Sequence, residues 1–195
     1  IVGVAGLVGS GRTEFVRGVM GIDSWDSGKT VVNGKEVRIR SPKHALRYKL
    51  GMLPEDRKDE GLALVRPIIE NAGYSLVVKE SSFGLVPWRK ITREVKEGIP
   101  SIKLRFTHLQ SETRFLSGGN QQKVVFLKLL GAHCDVMILD EPTRGVDVGA
   151  RADIYKLMQN LKTEGKAILM ISSDLTEILS QADRILVMAR GSIVG

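Results

Sequence analysis

A chain of 195 residues, 43% of them apolar, has the size of one ordinary domain whose core can enclose a sheet, and no apolar run approaches the ~20 residues that cross a bilayer. The single cysteine, Cys134, cannot close an internal disulfide; no signal-peptide pattern is visible, so a reducing compartment fits and any membrane role is expected through a partner. The formal charge of +7 gathers early, with nine Lys/Arg against four Asp/Glu in residues 1–50, a bias that suits phosphates, an anionic surface or an ordinary solvated face, but no aromatic-interleaved basic patch of the nucleic-acid type appears.

Residues 1–5 form a short apolar strand. They run into Gly6-Leu7-Val8-Gly9-Ser10-Gly11-Arg12-Thr13 and then into residues 14–20, which have helical apolar spacing. Strand, glycine loop and helix in that order turn the pattern G-x-x-x-x-G-[K]-[ST] into a phosphate cradle. Glycines let the backbone curl around phosphate oxygens, the helix N-terminus favours their charge, and Thr13 can ligate magnesium. The bland alternative is a glycine-rich turn between a core strand and a helix.

Asp26-Ser27-Gly28-Lys29 is a turn, followed over residues 30–37 by a predicted hairpin turning at Asn33-Gly34. Ser41-Pro42 starts a short helix reaching about Tyr48, by serine capping and proline in the first turn. Residues 50–53 are a brief strand. Residues 54–61 are a highly charged loop, with Asp59 and Glu60 read as solvated. Over residues 62–115 apolar positions are irregular, Pro67, Pro87 and Pro100 punctuate, and Lys/Arg alternate with Glu. A small helical insertion is expected there, inside one domain spanning residues 1–195.

Leu116-Ser117-Gly118-Gly119-Asn120-Gln121 opens an amphipathic stretch over residues 121–130, where bare N–H groups at a helix start can face a phosphate. Cys134 follows as a small core residue; beside it His133 is a candidate base, but no third group supports thiol catalysis. Residues 136–139 are an apolar strand whose tip delivers Asp140 and Glu141, as a metal–phosphate site requires. Residues 149–161 are helical, 166–171 a strand, 175–181 a helix and 184–189 a final strand. This alternation predicts an α/β fold with a mainly parallel sheet and ligands at the strand C-termini. No internal repeat is present. The chain opens inside a strand without Met and closes on what looks like a hairpin cut short, so it reads as an excerpt.

The glycine loop, Pro54-Glu55-Asp56-Arg57-Lys58, the 116–123 segment and Asp140-Glu141-Pro142-Thr143-Arg144-Gly145-Val146-Asp147-Val148-Gly149-Ala150 together resemble the P-loop ATPases of bacterial ABC importers. More narrowly, the chain is similar to those serving monosaccharides, whose polypeptide carries two cassettes in tandem, and to the second, C-terminal one. The 62–115 insertion matches that family only loosely. The resemblance implies ATP and Mg²⁺ as ligands. Gly6, Gly9, Ser10, Gly11, Arg12 and Thr13 would bind phosphates, Thr13 and Asp140 the metal, and Glu141 would polarise the attacking water. Ser117, Gly118, Gly119, Asn120 and Gln121 would be the signature that completes a partner cassette's pocket. Glu55, Asp147 and Ser173 would sit in the lid loop, the inter-cassette loop and the switch. Implied partners are the tandem N-terminal cassette, integral-membrane permease subunits and, indirectly, a solute-binding protein, with no nucleic acid. The implied place is the cytoplasmic face of the cell membrane, as a peripheral subunit; the adenine-stacking residue would lie upstream of Ile1.

Departures from the family pattern sharpen the expectation. The P-loop lysine is Arg12, the switch histidine is Ser173, and the lid glutamine is Glu55; Asn120 for glutamine is milder. Losing one positioned charge-stabilising group costs on the order of 10² to 10³ in rate. The chain's own pocket is therefore expected to bind nucleotide and turn it over slowly, while its signature serves the neighbour. The competing readings are a regulatory module that never hydrolyses ATP and a non-transport ABC protein of chromosome maintenance or translation. The chromosome proteins place a long coiled coil between glycine loop and signature, absent here, and a translation factor would keep the P-loop lysine. A small-molecule kinase would not explain residues 116–121.

Overall fold

The computed structural model describes all 195 residues. The chain forms two compact units, one of Ile1–Met52, Cys134–Glu141 and Gly165–Gly195, the other of Leu53–His133 and Pro142–Glu164. In chain order the elements are β1 (Val2–Ala5), α1 (Arg12–Val19), β2 (Thr30–Val32), β3 (Lys35–Val37), α2 (Pro42–Arg47), β4 (Leu50–Leu53), α3 (Ile68–Glu80), α4 (Trp88–Ile102), α5 (Gly118–Gly131), β5 (Val136–Asp140), α6 (Val148–Thr163), β6 (Ala167–Ser172), α7 (Leu175–Gln181), β7 (Arg184–Ala189) and β8 (Ser192–Ile193).

The first unit is built on a six-stranded sheet ordered β4-β5-β6-β1-β7-β8. β1 pairs in parallel with β6 and β7, and β5 with β6, while β8 runs antiparallel to β7. This is the mainly parallel α/β architecture that the alternation of apolar runs predicts. Met137, Ile138 and Leu139 are buried in succession, because a central parallel strand has no solvent-facing side. Val4, Val16, Met20, Ala45, Ile138 and Ile171 belong to one core cluster. Register sets where the loops emerge: Ala5 lies opposite Ser172, and Asp140 opposite Ile171. The segments that follow, beginning at Gly6, Glu141 and Ser173, therefore leave the sheet at one edge.

Local signals act as read. Asn33 (φ 51°) and Gly34 (φ 77°) make the left-handed pair of the β2–β3 turn. Ser41 Oγ accepts from the His44 amide at 3.2 Å and Pro42 fills the first helical position of α2.

The second unit holds α3 to α6. The ends of the 62–115 segment are tied to each other, with Ile68 N donating to Ser111 O (3.0 Å) and Thr113 N to Arg66 O (3.1 Å). Buried Asn71 donates to Ala63 O and to Thr113 Oγ1, both at 2.9 Å. Two expectations change. The charged 54–61 segment is not all loop: Arg57–Gly61 is a single π-helical turn capped by Asp56, whose Oδ1 accepts from Lys58 N at 2.7 Å. Helix α5 is not amphipathic. Gln121, Gln122 and Lys123 are buried with the apolar residues, since α3, α4, α6 and the π turn all pack on this helix. Each of these three side chains has a partner: Gln121 Nε2 donates to Leu116 O (3.3 Å), Gln122 Nε2 to Pro142 O (2.9 Å) and Lys123 Nζ to Asp153 Oδ2 (2.7 Å).

Candidate functional site

β1 delivers the chain to Gly6, where any side chain is excluded: a Cβ would lie 2.5 Å from Met188 O and 2.6 Å from Ser10 Oγ. Gly9 and Gly11 take left-handed φ values of 80° and 95°, and Ser10 N donates back to Leu7 O at 3.0 Å. Gly11, which has no side chain to cap with, precedes α1, so no side chain caps that helix start, the kind of terminus that suits an anion. Ser10 Oγ is buried without a hydrogen-bond partner in the protein. The turn borders a cleft of about 560 Å³ whose other walls include Ser172, Ser173, Leu175 and Met188.

Asp140 ends β5 fully buried. Glu141 then turns into the left-handed region at φ 48°, a strain of about 1 kcal/mol or more for a residue with a Cβ. Its amide donates to Ile171 O at 2.9 Å, and its Oε1 accepts from Ser173 N at 2.7 Å. Arg12, buried at the start of α1, donates through Nη1 to Ser172 O at 2.6 Å and places Nη2 3.8 Å from Glu141 Oε1. Arg12, Glu141 and Ser173, distant in sequence, thus meet at the edge from which the glycine turn emerges. The metal candidates Thr13 and Asp140 are hard oxygen donors, and no group of three or more His, Cys, Asp or Glu side chains forms a closed cage. Hard oxygen donors of this kind suit a cation such as Mg²⁺.

The remaining candidates lie in the second unit. Ser117 caps α5, accepting from Asn120 N at 3.4 Å and from Asn120 Nδ2 at 3.1 Å, while Asn120 Oδ1 accepts from Arg105 N at 2.9 Å. Gln121 is buried and donates to Leu116 O at 3.3 Å. Gly119 is forced by close approach, since a Cβ there would lie 2.5 Å from Ala150 Cβ and 3.0 Å from Asp147 Oδ2. Asp147 caps α6, its Oδ1 accepting from Ala150 N at 2.9 Å, and that amide chiefly holds its carboxyl below the usual range. Glu55 is ion-paired with Arg144. Arg57, which sequence reading passed over, donates to Arg144 O at 2.7 Å and to Gly145 O at 3.2 Å. No local pattern could have exposed it, because its acceptors are main-chain carbonyls far along the chain.

A family model described as ABC transporter matches residues 1–144. Among curated proteins, a putative ribose/galactose/methyl galactoside import ATP-binding protein of Rhizobium meliloti is 46% identical over 196 aligned positions, covering all of this chain and 39% of its own length. Ribose import ATP-binding proteins of Bacillus subtilis and Corynebacterium glutamicum are 45% and 44% identical, again over the whole chain and 40% and 37% of theirs. The chain spans about two fifths of the length of the curated relatives it matches. Among solved structures, the ATP-binding cassette MJ0796, dimeric and bound to ADP and Pi, superposes with a TM-score of 0.84 at 18% identity, over all of this chain and 83% of that one. The ADP conformation of the cassette MJ1267 gives 0.80 at 22% identity, with 78% of that chain covered. At such identities the likeness concerns the fold.

Proposed function

This chain belongs to the ABC transporter family, and from that premise we propose that it is the C-terminal ATP-binding cassette of a tandem importer subunit that drives uptake of ribose or a related sugar. The curated relatives named for ribose and galactose import, and their greater length, support the substrate class and the tandem arrangement. The observation that carries the reading is the convergence of Arg12, Glu141 and Ser173 where the glycine turn leaves the sheet, at a helix start that no side chain caps. No helix is long and apolar enough to cross a membrane. The proposed place is peripheral, on the cytoplasmic face, against permease subunits and a second cassette, with a solute-binding protein acting at one remove.

The chemistry is in-line attack of water on the γ-phosphorus: the new O–P bond forms as the bond to the bridging oxygen breaks, its electron pair leaving on ADP. Mg²⁺, when bound through Thr13 and Asp140, neutralises phosphate charge. The glycine-turn amides hold the phosphates, and Glu141 accepts a hydrogen bond from the attacking water and orients it. In this chain's own pocket these parts are compromised. The Arg12 guanidinium is committed to Ser172 O and lies against Glu141, so it is poorly placed to serve a γ-phosphate as a compact ammonium would. Ser173 brings no cation. In the second unit Glu55, where the family pattern has glutamine, is ion-paired with Arg144. The pocket therefore binds ATP and hydrolyses it slowly, while Ser117, Gly118 and Gly119 complete the productive pocket of the other cassette.

Turnover by the full-length subunit with its permease tests this. Ser117→Arg should lower phosphate release roughly 100-fold, the size of a lost phosphate-contacting donor set, and Glu141→Gln by less than about threefold. An unchanged rate in Ser117→Arg would sink the proposal. The regulatory alternative, a cassette that never hydrolyses, is favoured by Arg12's engagement; it fails if Glu141→Gln slows single-turnover release measured in the Ser117→Arg background.

A further inference from the structure

Arg57 lies in the proposed lid segment, two residues after Glu55. Its guanidinium forks onto consecutive carbonyls, Nη1 on Arg144 O at 2.7 Å and Nη2 on Gly145 O at 3.2 Å. Gly145 adopts φ 65°, which turns its carbonyl out of the chain direction and toward α5. At Gly118, the first residue of that helix, a Cβ would stand 2.8 Å from both Arg57 Nη2 and Gly145 O. The next residue, Gly119, rests on Ala150 and Asp147 at the start of α6. Both signature glycines are thus seated on the 144–150 segment, and Arg57 clamps that seat. Glu55, two residues earlier, adds a second tie through its ion pair with Arg144.

We propose that Arg57 is a positioning residue that staples the Pro54-Glu55-Asp56-Arg57 segment to the signature turn, so that displacement of that segment is transmitted to Ser117, Gly118 and Gly119. The inference rests on the reading that this turn completes a neighbour's ATP pocket. The physical basis is geometric. A planar fork holds two carbonyls at fixed spacing, which a single ammonium on a flexible stem does not. No room remains for a Cβ at Gly118 beside Arg57 and Gly145 O, so the helix start sits close against this seat. Misplacing phosphate-facing groups by about 1 Å costs up to ~10²-fold in rate. A staple of this kind makes the lid segment, not the glycine turn, the element through which a neighbouring subunit reaches the signature.

The test uses the full-length subunit with its permease, comparing wild type, R57A, R57K and S117R. Three readouts are taken: kcat and KM for ATP, thermal midpoint, and amide hydrogen exchange across residues 115–124. R57A should lower kcat about 10- to 100-fold with KM changed less than about threefold, and should speed exchange at residues 118–121 while distant peptides keep their rates. R57K keeps the charge but loses the fork; it should show the same exchange signature and recover less than half of the lost kcat on a logarithmic scale. If R57A does not fold, R57K carries the test. Wild-type kcat and unchanged 118–121 exchange in the Arg57 variants, with S117R inactive, would overturn the staple. A fully active S117R would instead overturn the trans-pocket reading, with exchange still reporting whether Arg57 seats the turn.

Discussion

Arg12 Nη2 lies 3.8 Å from Glu141 Oε1, with both side chains largely withdrawn from solvent. The same guanidinium donates to Ser172 O at 2.6 Å, and the same carboxylate oxygen accepts from Ser173 N at 2.7 Å. The cation proposed to face phosphate and the carboxylate proposed to face water are thus engaged with protein groups and with each other. Binding of a γ-phosphate has to compete with those contacts.

Relieving the competition should restore chemistry. Arg12→Lys combined with Ser173→His supplies a compact ammonium and a second potential cation. Single-turnover phosphate release from this chain's own pocket, measured with the partner pocket silenced by Ser117→Arg, is expected to rise at least ~10-fold over the Arg12 form. An unchanged rate would place the impairment elsewhere.

Gly119→Ala tests the seat of the signature by stability. Its Cβ would fall 2.5 Å from Ala150 Cβ, so α5 or α6 must shift at a cost of about 1–3 kcal/mol, read by denaturant unfolding. A cost below ~0.5 kcal/mol would show the two helix starts to be loosely packed.

Asp153 receives Lys123 Nζ at 2.7 Å and Lys103 Nζ at 2.9 Å, and Lys123 is buried. Asp153→Ala leaves a buried ammonium short of its counter-charge, and the expected loss at pH 7 is about 3 kcal/mol. The bond from Lys123, then that from Lys103, depresses the Asp153 pKa. A depressed carboxyl stabilises above its unfolded value of ~3.9, and that contribution fades as pH falls toward the lower folded value. The gap between wild type and variant should therefore narrow below about pH 4. A gap independent of pH would mean that packing and not charge is lost.

Cys134 is fully buried, and burial pushes its thiol up to about 11. Native protein should resist alkylation at pH 8 and react only on unfolding, which pulse labelling measures. Because the folded pKa is raised, the contribution is intact below the unfolded thiol value and is lost as pH climbs toward 11. Cys134→Val should flatten that alkaline limb of the stability curve; a limb of wild-type steepness would assign it to other groups.

Much of the first unit was legible because its signals are local. Asn33-Gly34, Ser41-Pro42 and the apolar run at β5 each determine their own backbone, and alternation of such pieces leaves few topologies other than a parallel sheet. Helix α5 misled for the opposite reason. Buried Gln121, Gln122 and Lys123 look like a solvent face until their partners Leu116 O, Pro142 O and Asp153 are in place. The single π turn at Arg57–Gly61 likewise depends on Asp56 accepting two amides, a detail that a run of charges hides.

The order of residues alone placed the glycine turn, the capping Ser117 and the carboxylates at the end of β5, since each acts through the adjacent backbone. It also exposed the departures at Arg12, Ser173 and Glu55. Only the folded chain decided what those residues do: that Arg12 turns inward to Ser172 and Glu141, that Arg144 neutralises Glu55, and that Arg57 holds the seat of the signature glycines. The reason is physical. Propensity and periodicity act over a few residues, whereas a guanidinium selects its partner among whatever carbonyls and carboxylates the sheet register and helix packing bring within 4 Å, and that set exists only after folding.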